Sequence, residues 1–172
     1  GISDQGGLSF IASANERDMR LITVVLNVEN AEEDIKALFL ATASIMDYIA
    51  NNFVVTTLAE KGTPYEDSHI SIINGSEDQI KVVASNDLNI IQRIGSDSEP
   101  KVTFKKNKQE FKAPLAAHTP IGTLSYKDTD LIGKGYLKEE PSITMETKKE
   151  VTQGFFLKVW WNNFVEYVNE KL

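Results

Sequence analysis

The sequence predicts an α+β chain of three parts: a two-strand-plus-helix unit, a small all-β sandwich, and an amphipathic helix at the C-terminal end. Strand-like apolar runs and a helical repeat occupy the first part, short runs separated by turn residues fill the second, and a one-sided apolar repeat occupies the last. We place the boundaries at 1–62, 63–149 and 150–172. With 172 residues, 41% hydrophobic and 25% charged, the composition is that of a globular protein.

The first part begins with a predicted β-hairpin. Residues 8–14 and 19–26 are rich in Ile, Val, Leu and Phe, and the polar residues 15–18 separate them. The second run is apolar on both of its faces instead of alternating. It therefore predicts an inner strand that is covered on both sides.

A helix over about 31–51 is predicted next. Its apolar face is formed by residues at spacings of three and four: Ile35, Leu38, Phe39, Thr42, Ile45, Met46 and Ile49. Asn30 and Glu33 fit a capping box at its start. A short strand over 53–58 leads to Gly62-Thr63-Pro64, where both patterns stop.

The middle part shows short strand-like runs and no helical repeat between them. The predicted strands are 70–73, 80–84, 88–94, 101–104, 121–126 and 131–137. Asn74-Gly75 is a tight-turn signal between the first two. Repeated short strands with Gly and Pro between them are typical of a β-sandwich or small barrel, and we assign a sandwich.

The last segment, 155–172, predicts a strongly amphipathic helix. Its apolar side carries Leu157, Trp160, Trp161, Phe164, Val165, Val168 and Leu172. Its polar side carries Lys158, Asn162, Asn163, Glu166, Asn169 and Glu170. This apolar face either packs on its own domain or lies in a lipid interface. The adjacent tryptophans favour the interface, whereas the weakly charged polar side offers no attraction to anionic lipid, so apolar area would drive insertion.

The net charge and the absence of cysteine limit the kinds of partner and metal site that this chain can have. The formal charge of −7 argues against a nucleic-acid groove, and the interrupted run Lys105, Lys106, Lys108 fits a solvated strand edge or turn. The absence of cysteine excludes disulfides and thiolate metal ligands but leaves the compartment open. Residues 1–7 do not resemble a signal peptide and no run reaches a membrane span, so we expect any export signal to lie upstream.

Two short motifs match serine-hydrolase patterns in form only. Ser98 and Lys101 have Ser-x-x-Lys spacing, but Pro100 and the preceding loop residues prevent the helical turn that would join their side chains. Ser13-Ala14-Asn15 matches Ser-x-Asn, but it ends a predicted strand where Asn15 serves as a turn former. Neither motif predicts a nucleophile in this chain.

Other candidate chemistry is equally weak. His69 and His118 lie far apart without a spaced carboxylate or cysteine partner, so they predict neither a metal site nor a triad. The pairs Glu32-Glu33 and Glu139-Glu140 are adjacent, which points their carboxylates apart. The sequence predicts no catalytic residue, no metal site and no cofactor here.

The order of several segments is nevertheless distinctive. They read GISDQGGLSF at 1–10, MRLITVVL at 19–26, IMDY at 45–48, KAPL at 112–115, IGTL at 121–124, LIG at 131–133 and FFLKVWW at 155–161. Together they resemble the C-terminal part of low-molecular-mass penicillin-binding proteins, the serine-type D-alanyl-D-alanine carboxypeptidases, and are closest to streptococcal members. The first part then resembles the end of the transpeptidase-like catalytic domain.

The resemblance implies a parent enzyme on the extracellular face of the cytoplasmic membrane that removes the terminal D-Ala of peptidoglycan stem peptides and binds β-lactams. It implies that the nucleophile lies upstream, that this portion alone is inactive, and that Gly1 is the Gly of the family's Lys-Thr-Gly motif or a cloning remnant. The family usually has an arginine for the substrate carboxylate where this chain has Leu38.

Two further expectations complete this interpretation. A β-sandwich protein-binding or spacer module without a catalytic role is the alternative function. Residues up to about 58 would leave a sheet edge and face uncovered, so we expect them to pack against another copy, the β-rich part or upstream residues.

Overall fold

The computed structural model describes residues 2–3, 7–28, 35–97 and 99–171, and the chain divides into two compact units. The first unit comprises Gly1–Thr56 together with Ile90–Asp97. The second comprises Thr57–Asn89 together with Ser98–Leu172. Each unit therefore contains two separate stretches of the sequence.

The first unit is a three-stranded antiparallel sheet with one helix. Its elements are β1 (Ile2–Ser3), β2 (Gly7–Glu16), β3 (Met19–Val28) and α1 (Ile35–Asn52), with sheet order β1-β2-β3. Arg17 and Asp18 form the turn between β2 and β3, with φ of 47° and 64°. Positive φ at both positions matches the right-handed twist of the strands. The predicted hairpin and the predicted helix are both confirmed.

One face of this sheet packs on the helix. Leu8 and Leu38 form the buried centre, with Phe10 and Val25 packed against them. Leu38 is only 2% exposed, because it points from α1 into this cluster. The position at which the resembling family usually has an arginine is therefore part of the hydrophobic core in this chain.

The other face of β3 is exposed. Ile22 is 63% exposed, and Val24 and Leu26 are exposed with it. Among the described strands β3 pairs with β2 alone. The prediction of an inner strand covered on both faces is therefore wrong for this chain, because no described element covers that face. The predicted cap residues Asn30 and Glu33 lie outside the described residues.

The second unit is mostly β, as the sequence predicts, but its main sheet curls into a half-barrel and does not form the predicted sandwich. The remaining strands of the chain are β4 (Phe53–Ala59), β5 (Pro64–Ile73), β6 (Gln79–Ala84), β7 (Leu88–Arg93), β8 (Lys101–Lys106), β9 (Phe111–Lys112), β10 (Pro120–Lys127) and β11 (Ser142–Thr147). Six form one curled sheet in the order β8-β10-β11-β6-β5-β9, antiparallel except for the parallel pair β5 and β9. Strands β4 and β7 pair separately, and the division between the units falls within them.

Alternate residues of these strands build the core of the second unit. The most deeply buried are Ile70, Val82, Leu88, Ile121, Leu124, Met145 and Val151. Full burial of each such side chain stabilises the fold by roughly 1.5–3 kcal/mol. Most of the opposite faces carry polar residues, but β6 ends with Val82, Val83 and Ala84 buried in succession, so its last residues are covered on both sides.

Two details of this part differ from the sequence prediction. Residues 131–137 form turns and not a strand, because Gly133 and Gly135 adopt φ of 60° and 81°. Strand β11, which was not among the predicted strands, lies instead between β10 and β6. Its inward residues are Met145 and Thr147, so a half-polar strand fills a central place in the sheet.

Candidate functional site

The candidate site is the helix α2 (Phe156–Lys171), together with the turn of the second unit that holds its start. The chain enters α2 through backbone contacts with this turn. Gly75 and Gln153 form an antiparallel bridge, and Gly154 N–H donates to the Asn74 carbonyl oxygen over 2.9 Å. These bonds fix where the helix begins.

The turn needs its two residue types. Asn74 has a φ of 59°, a left-handed conformation that asparagine tolerates better than most residues. A Cβ on Gly75 would lie 2.7 Å from both the Ile72 Cγ2 and the Glu77 carbonyl oxygen. Only glycine fits there, so the Asn-Gly signal marks the seat of the helix as well as a turn.

Polar side chains attach α2 to this turn. Lys158 Nζ donates to the Gly75 carbonyl oxygen at 3.1 Å and to Asp78 Oδ1 at 2.7 Å. Asn162 Nδ2 donates to Asn74 Oδ1 at 3.1 Å, and Asn74 Nδ2 donates to Asn163 Oδ1 at 3.3 Å. One side of the helix is thus held by charge and amide hydrogen bonds.

A second ion pair lies further along the helix. Lys112 Nζ is 3.7 Å from Glu166 Oε1, and both side chains are more than half exposed. A pair of this kind contributes about 0–1 kcal/mol. The main attachment of α2 is therefore at its first two turns.

The apolar side of α2 faces solvent. Trp160 is 61% exposed and Trp161 58%, and Phe164 is 47% exposed. The rings of Trp160 and Phe164 stack with centroids 5.7 Å apart, and Trp161 lies 6.0 Å from the same phenyl ring. The aromatic residues thus contact one another and form an exposed patch.

The remaining predicted residues of this side follow the same trend, with Leu157 and Val165 exposed and Val168 half-buried. Leu172 lies outside the described residues. Phe155, Phe156 and Tyr167 are exposed as well. Soluble domains normally bury such a face, whereas here Lys158 and Asn162 bind the domain and Trp160 and Phe164 are exposed.

A groove runs between α2 and strand β5 within the second unit. Its volume is about 580 Å³, and its walls include Ile73, Asn74, Glu110, Trp161, Asn162 and Val165. The packing beneath the helix is therefore incomplete, which agrees with attachment by a few polar contacts.

The other sequence candidates are not brought together. Ser98 lies outside the described residues, and Lys101 begins β8. Ser13 and Asn15 belong to β2, paired with Ile22 and Arg20. The pairing of β2 with β3 therefore places no base opposite Ser13.

The two histidines are also separate. His69 lies on β5, and His118 lies in the loop before β10, where its Nδ1 is 2.6 Å from Glu146 Oε1. Within the described residues, no group of three or more His, Asp or Glu side chains is placed to hold a metal ion.

One polar cluster was not predicted. Tyr126 and Tyr136 hydroxyls each donate to a different oxygen of Asp128 over 3.2 Å. Burial, followed by the Asp128 charge, raises the pKa of both tyrosines above the usual value. The three residues lie in or beside the 128–136 turns, and the short Asp-x-Asp sequence there is the one signal that could have indicated them.

Comparison with known proteins identifies the family. Residues 53–153 match the family described as "Penicillin-binding protein 5, C-terminal domain". This chain belongs to that family. The match covers most of the β-rich region but stops before α2.

Solved structures extend the similarity of this penicillin-binding protein 5 C-terminal domain member to most of the chain. A peptidoglycan synthesis regulatory factor (PBP3) from Streptococcus pneumoniae is 38% identical with a TM-score of 0.76, covering 88% of this chain and 41% of that one. Penicillin-binding protein 5 from Haemophilus influenzae is 25% identical with a TM-score of 0.63, covering 89% and 41%. The resemblance to the C-terminal part of low-molecular-mass penicillin-binding proteins is thus confirmed.

A third structure shares the fold alone. The D-alanyl-D-alanine carboxypeptidase DacD from Francisella tularensis is 19% identical with a TM-score of 0.52, and 35% of its length is covered. This family member therefore spans well under half the length of the solved proteins it matches. Among the described helices, none has the length and apolar content needed to cross a bilayer.

Proposed function

We propose that this chain is the C-terminal portion of an extracellular D-alanyl-D-alanine carboxypeptidase that trims the terminal D-Ala of peptidoglycan stem peptides. The family match and the 38% identity to a peptidoglycan synthesis regulatory factor from Streptococcus pneumoniae support this proposal. The stem peptide and β-lactams are partners of the catalytic part, which includes residues outside this chain. Residues 1–62 complete that part, 63–149 act as a spacer, and 150–172 face the membrane.

In this proposal the 172-residue chain by itself lacks the serine nucleophile of the enzyme. Ser13 is exposed on a strand, and no described base lies within hydrogen-bond distance of it. A labelled penicillin should therefore leave the 172-residue chain unmodified, as judged by intact-mass spectrometry. Covalent labelling of any serine would overturn this part of the proposal.

The portion positions the enzyme at the membrane surface through α2. The observation that carries this role is the orientation of the helix: Lys158 and Asn162 bind the domain, while Trp160 and Trp161 are exposed. Aromatic side chains with a polar ring atom favour the headgroup level of a bilayer. The helix is thus presented for insertion without being detached from its domain.

Vesicle flotation tests this role. At about 25 cal/mol per Å², half-burial of the exposed surface of two tryptophans contributes roughly 2–3 kcal/mol, or about a 30- to 160-fold change in partitioning. We expect the double variant Trp160→Ala/Trp161→Ala to lose that much binding to neutral phosphatidylcholine vesicles. Leu137→Ala, at a fully exposed apolar residue outside α2, is the matched control and should bind like the wild type.

Equal binding of the wild type and the tryptophan variant, or no binding of either, would refute the membrane role. The α2 contacts with the domain would then leave a spacer or protein-binding module as the remaining function. Circular dichroism of each variant shows whether the helix is retained, so that a loss of binding is assigned to the side chains.

Self-association is a second candidate role, favoured by the exposed face of β3. Ile22, Val24 and Leu26 form an apolar row there. If copies of this chain associate through that row, Val24→Lys should shift the sedimentation coefficient of the wild type toward that of a monomer. Identical sedimentation of the variant and the wild type would argue against this association.

A further inference from the structure

Three neighbouring strands of the second unit place a histidine and two lysines beside one another. On the outer face of the sheet, His69 of β5 is the direct cross-strand partner of Lys81 on β6. On the other side of β6, Thr147 of β11 pairs with Val82, so Lys148 follows at the position next to Lys81. The register thus aligns His69, Lys81 and Lys148 across the sheet.

This row borders a depression of about 450 Å³. Residues from three stretches of the chain line it, among them His69, Glu77, Gln79, Lys81, Lys148 and Lys149. Glu77 Oε1 is 2.6 Å from Lys149 Nζ, which neutralises one lysine. Among the described residues, Lys81 and Lys148 form no ion pair.

Stability does not explain this arrangement. Like charges on directly neighbouring strand positions destabilise a sheet. The chain as a whole carries a net charge of −7, so acidic residues outnumber basic ones. The depression nevertheless holds three lysines and one glutamate. The excess positive charge is local and is opposite in sign to that of the whole protein.

We propose that this depression binds a phosphate ester. Lysine ammonium groups act as separate point charges, and a phosphate offers oxygens to several donors approaching from different directions. The described lining contains no arginine, so its cationic contacts come from separate lysine ammonium groups. His69 and Gln79 add N–H donors to the same rim. The volume exceeds that of a phosphate ion, so there is room for the ester substituent.

The buried face beneath the site makes it rigid. Ile70, Ile80 and Val82 point into the core from the same two strands. Because side chains alternate along a strand, this packing holds His69 and Lys81 on the outer face. Phosphate binding therefore needs movement of lysine side chains alone and no change of the backbone.

Titration with inorganic phosphate and with glycerol 3-phosphate, followed by ¹H–¹⁵N correlation spectra of the whole chain, tests the proposal. We expect saturable shifts at the amides of His69, Gln79 and Lys81. The double variant Lys81→Gln/Lys148→Gln should weaken binding about tenfold, since each exposed ion pair contributes a few-fold. The control Lys101→Gln/Lys105→Gln removes the same charge from exposed positions of β8 and should change affinity less than twofold.

Two outcomes would overturn the site. The first is the absence of saturable shifts at tens of millimolar of either probe. The second is an equal loss of affinity in the control variant, which would indicate a general charge effect. Neither outcome depends on α2, so the failure of this site and the failure of the membrane role are distinguishable.

The natural source of the phosphate ester is either a lipid headgroup or a soluble phosphodiester. Extra binding to vesicles that contain phosphatidylglycerol, over phosphatidylcholine alone, would identify the lipid if Lys81→Gln/Lys148→Gln removes the difference. Displacement of glycerol 3-phosphate by a soluble glycerol phosphate oligomer would identify the free polymer. Each result supports the site and assigns its source.

Discussion

Gly122 provides a sharp test of how the curled sheet is packed. It lies beside the bulge in β10, opposite Lys106 of β8, and its φ is outside the left-handed region. Sequence reasoning alone would favour Gly122→Ala, because replacing a strand glycine usually stabilises a protein by about 0.4–1 kcal/mol through the unfolded state.

The structure predicts the opposite result. A Cβ at Gly122 would overlap the Lys105 carbonyl oxygen and lie 2.6 Å from Phe104 Cε2. The carbonyl belongs to the paired backbone of β8 and cannot rotate away without breaking the ladder. Overpacking of this kind costs about 1–3 kcal/mol. After the gain in the unfolded state is subtracted, we expect a net loss of about 1–2 kcal/mol.

Native-state hydrogen exchange measures this loss within the second unit alone. The β10 amides should exchange about 5- to 30-fold faster in Gly122→Ala than in the wild type. Thr123→Ala, at the neighbouring exposed position, is the control and should change exchange by less than threefold. Unchanged or slower exchange in Gly122→Ala would show that β8 does not approach β10 as closely as described.

Two further predictions concern polar groups of the same unit. Thr147 Oγ1 donates to the Ala116 carbonyl oxygen and accepts from Thr119 N–H. Thr147→Val should therefore lower the free energy of unfolding, measured by urea titration, by about 1–3 kcal/mol. An unchanged urea midpoint would contradict this prediction. Burial and the Asp128 charge raise the pKa of Tyr136, so the folded state holds this proton more tightly than the unfolded chain does. The stability that the protonated tyrosine contributes to the fold is complete below pH about 10 and is lost as the pH rises further. Absorbance titration should show Tyr136 ionising after the exposed tyrosines, with Asp128→Asn bringing it closer to them; simultaneous ionisation in the wild type would refute the prediction.

The sequence predicted those elements that have a strong local signal. The hairpin was evident because Arg17 and Asp18 interrupt two β-branched runs, and α2 was evident because large apolar residues recur at helical spacing. Residues 131–137 were misassigned because their apolar content hides the backbone conformation of Gly133 and Gly135. Strand β11 was missed because it is short and half-polar, and its central place depends on pairing with β6, which is distant in sequence, as well as with β10.

The sites depended even more on tertiary structure. Helical periodicity shows that α2 has two sides but not which one meets the domain; the bonds of Lys158 and Asn162 to the turn decide that. The phosphate site was not evident from the sequence, because His69, Lys81 and Lys148 become neighbours only through strand register. The resemblance suggested that Leu38 replaces a substrate-binding arginine, whereas its burial shows that it belongs to the hydrophobic core.

The division of the chain into interleaved stretches limits how it can be recombined. Ile90–Asp97 belongs to the first unit although the second unit supplies the sequence on both sides of it. A contiguous exchange of 57–172 between two homologues would therefore transplant those eight residues into a foreign first unit. Chimeras of this family should keep 90–97 with the parent that supplies residues 1–56, which requires three junctions instead of one.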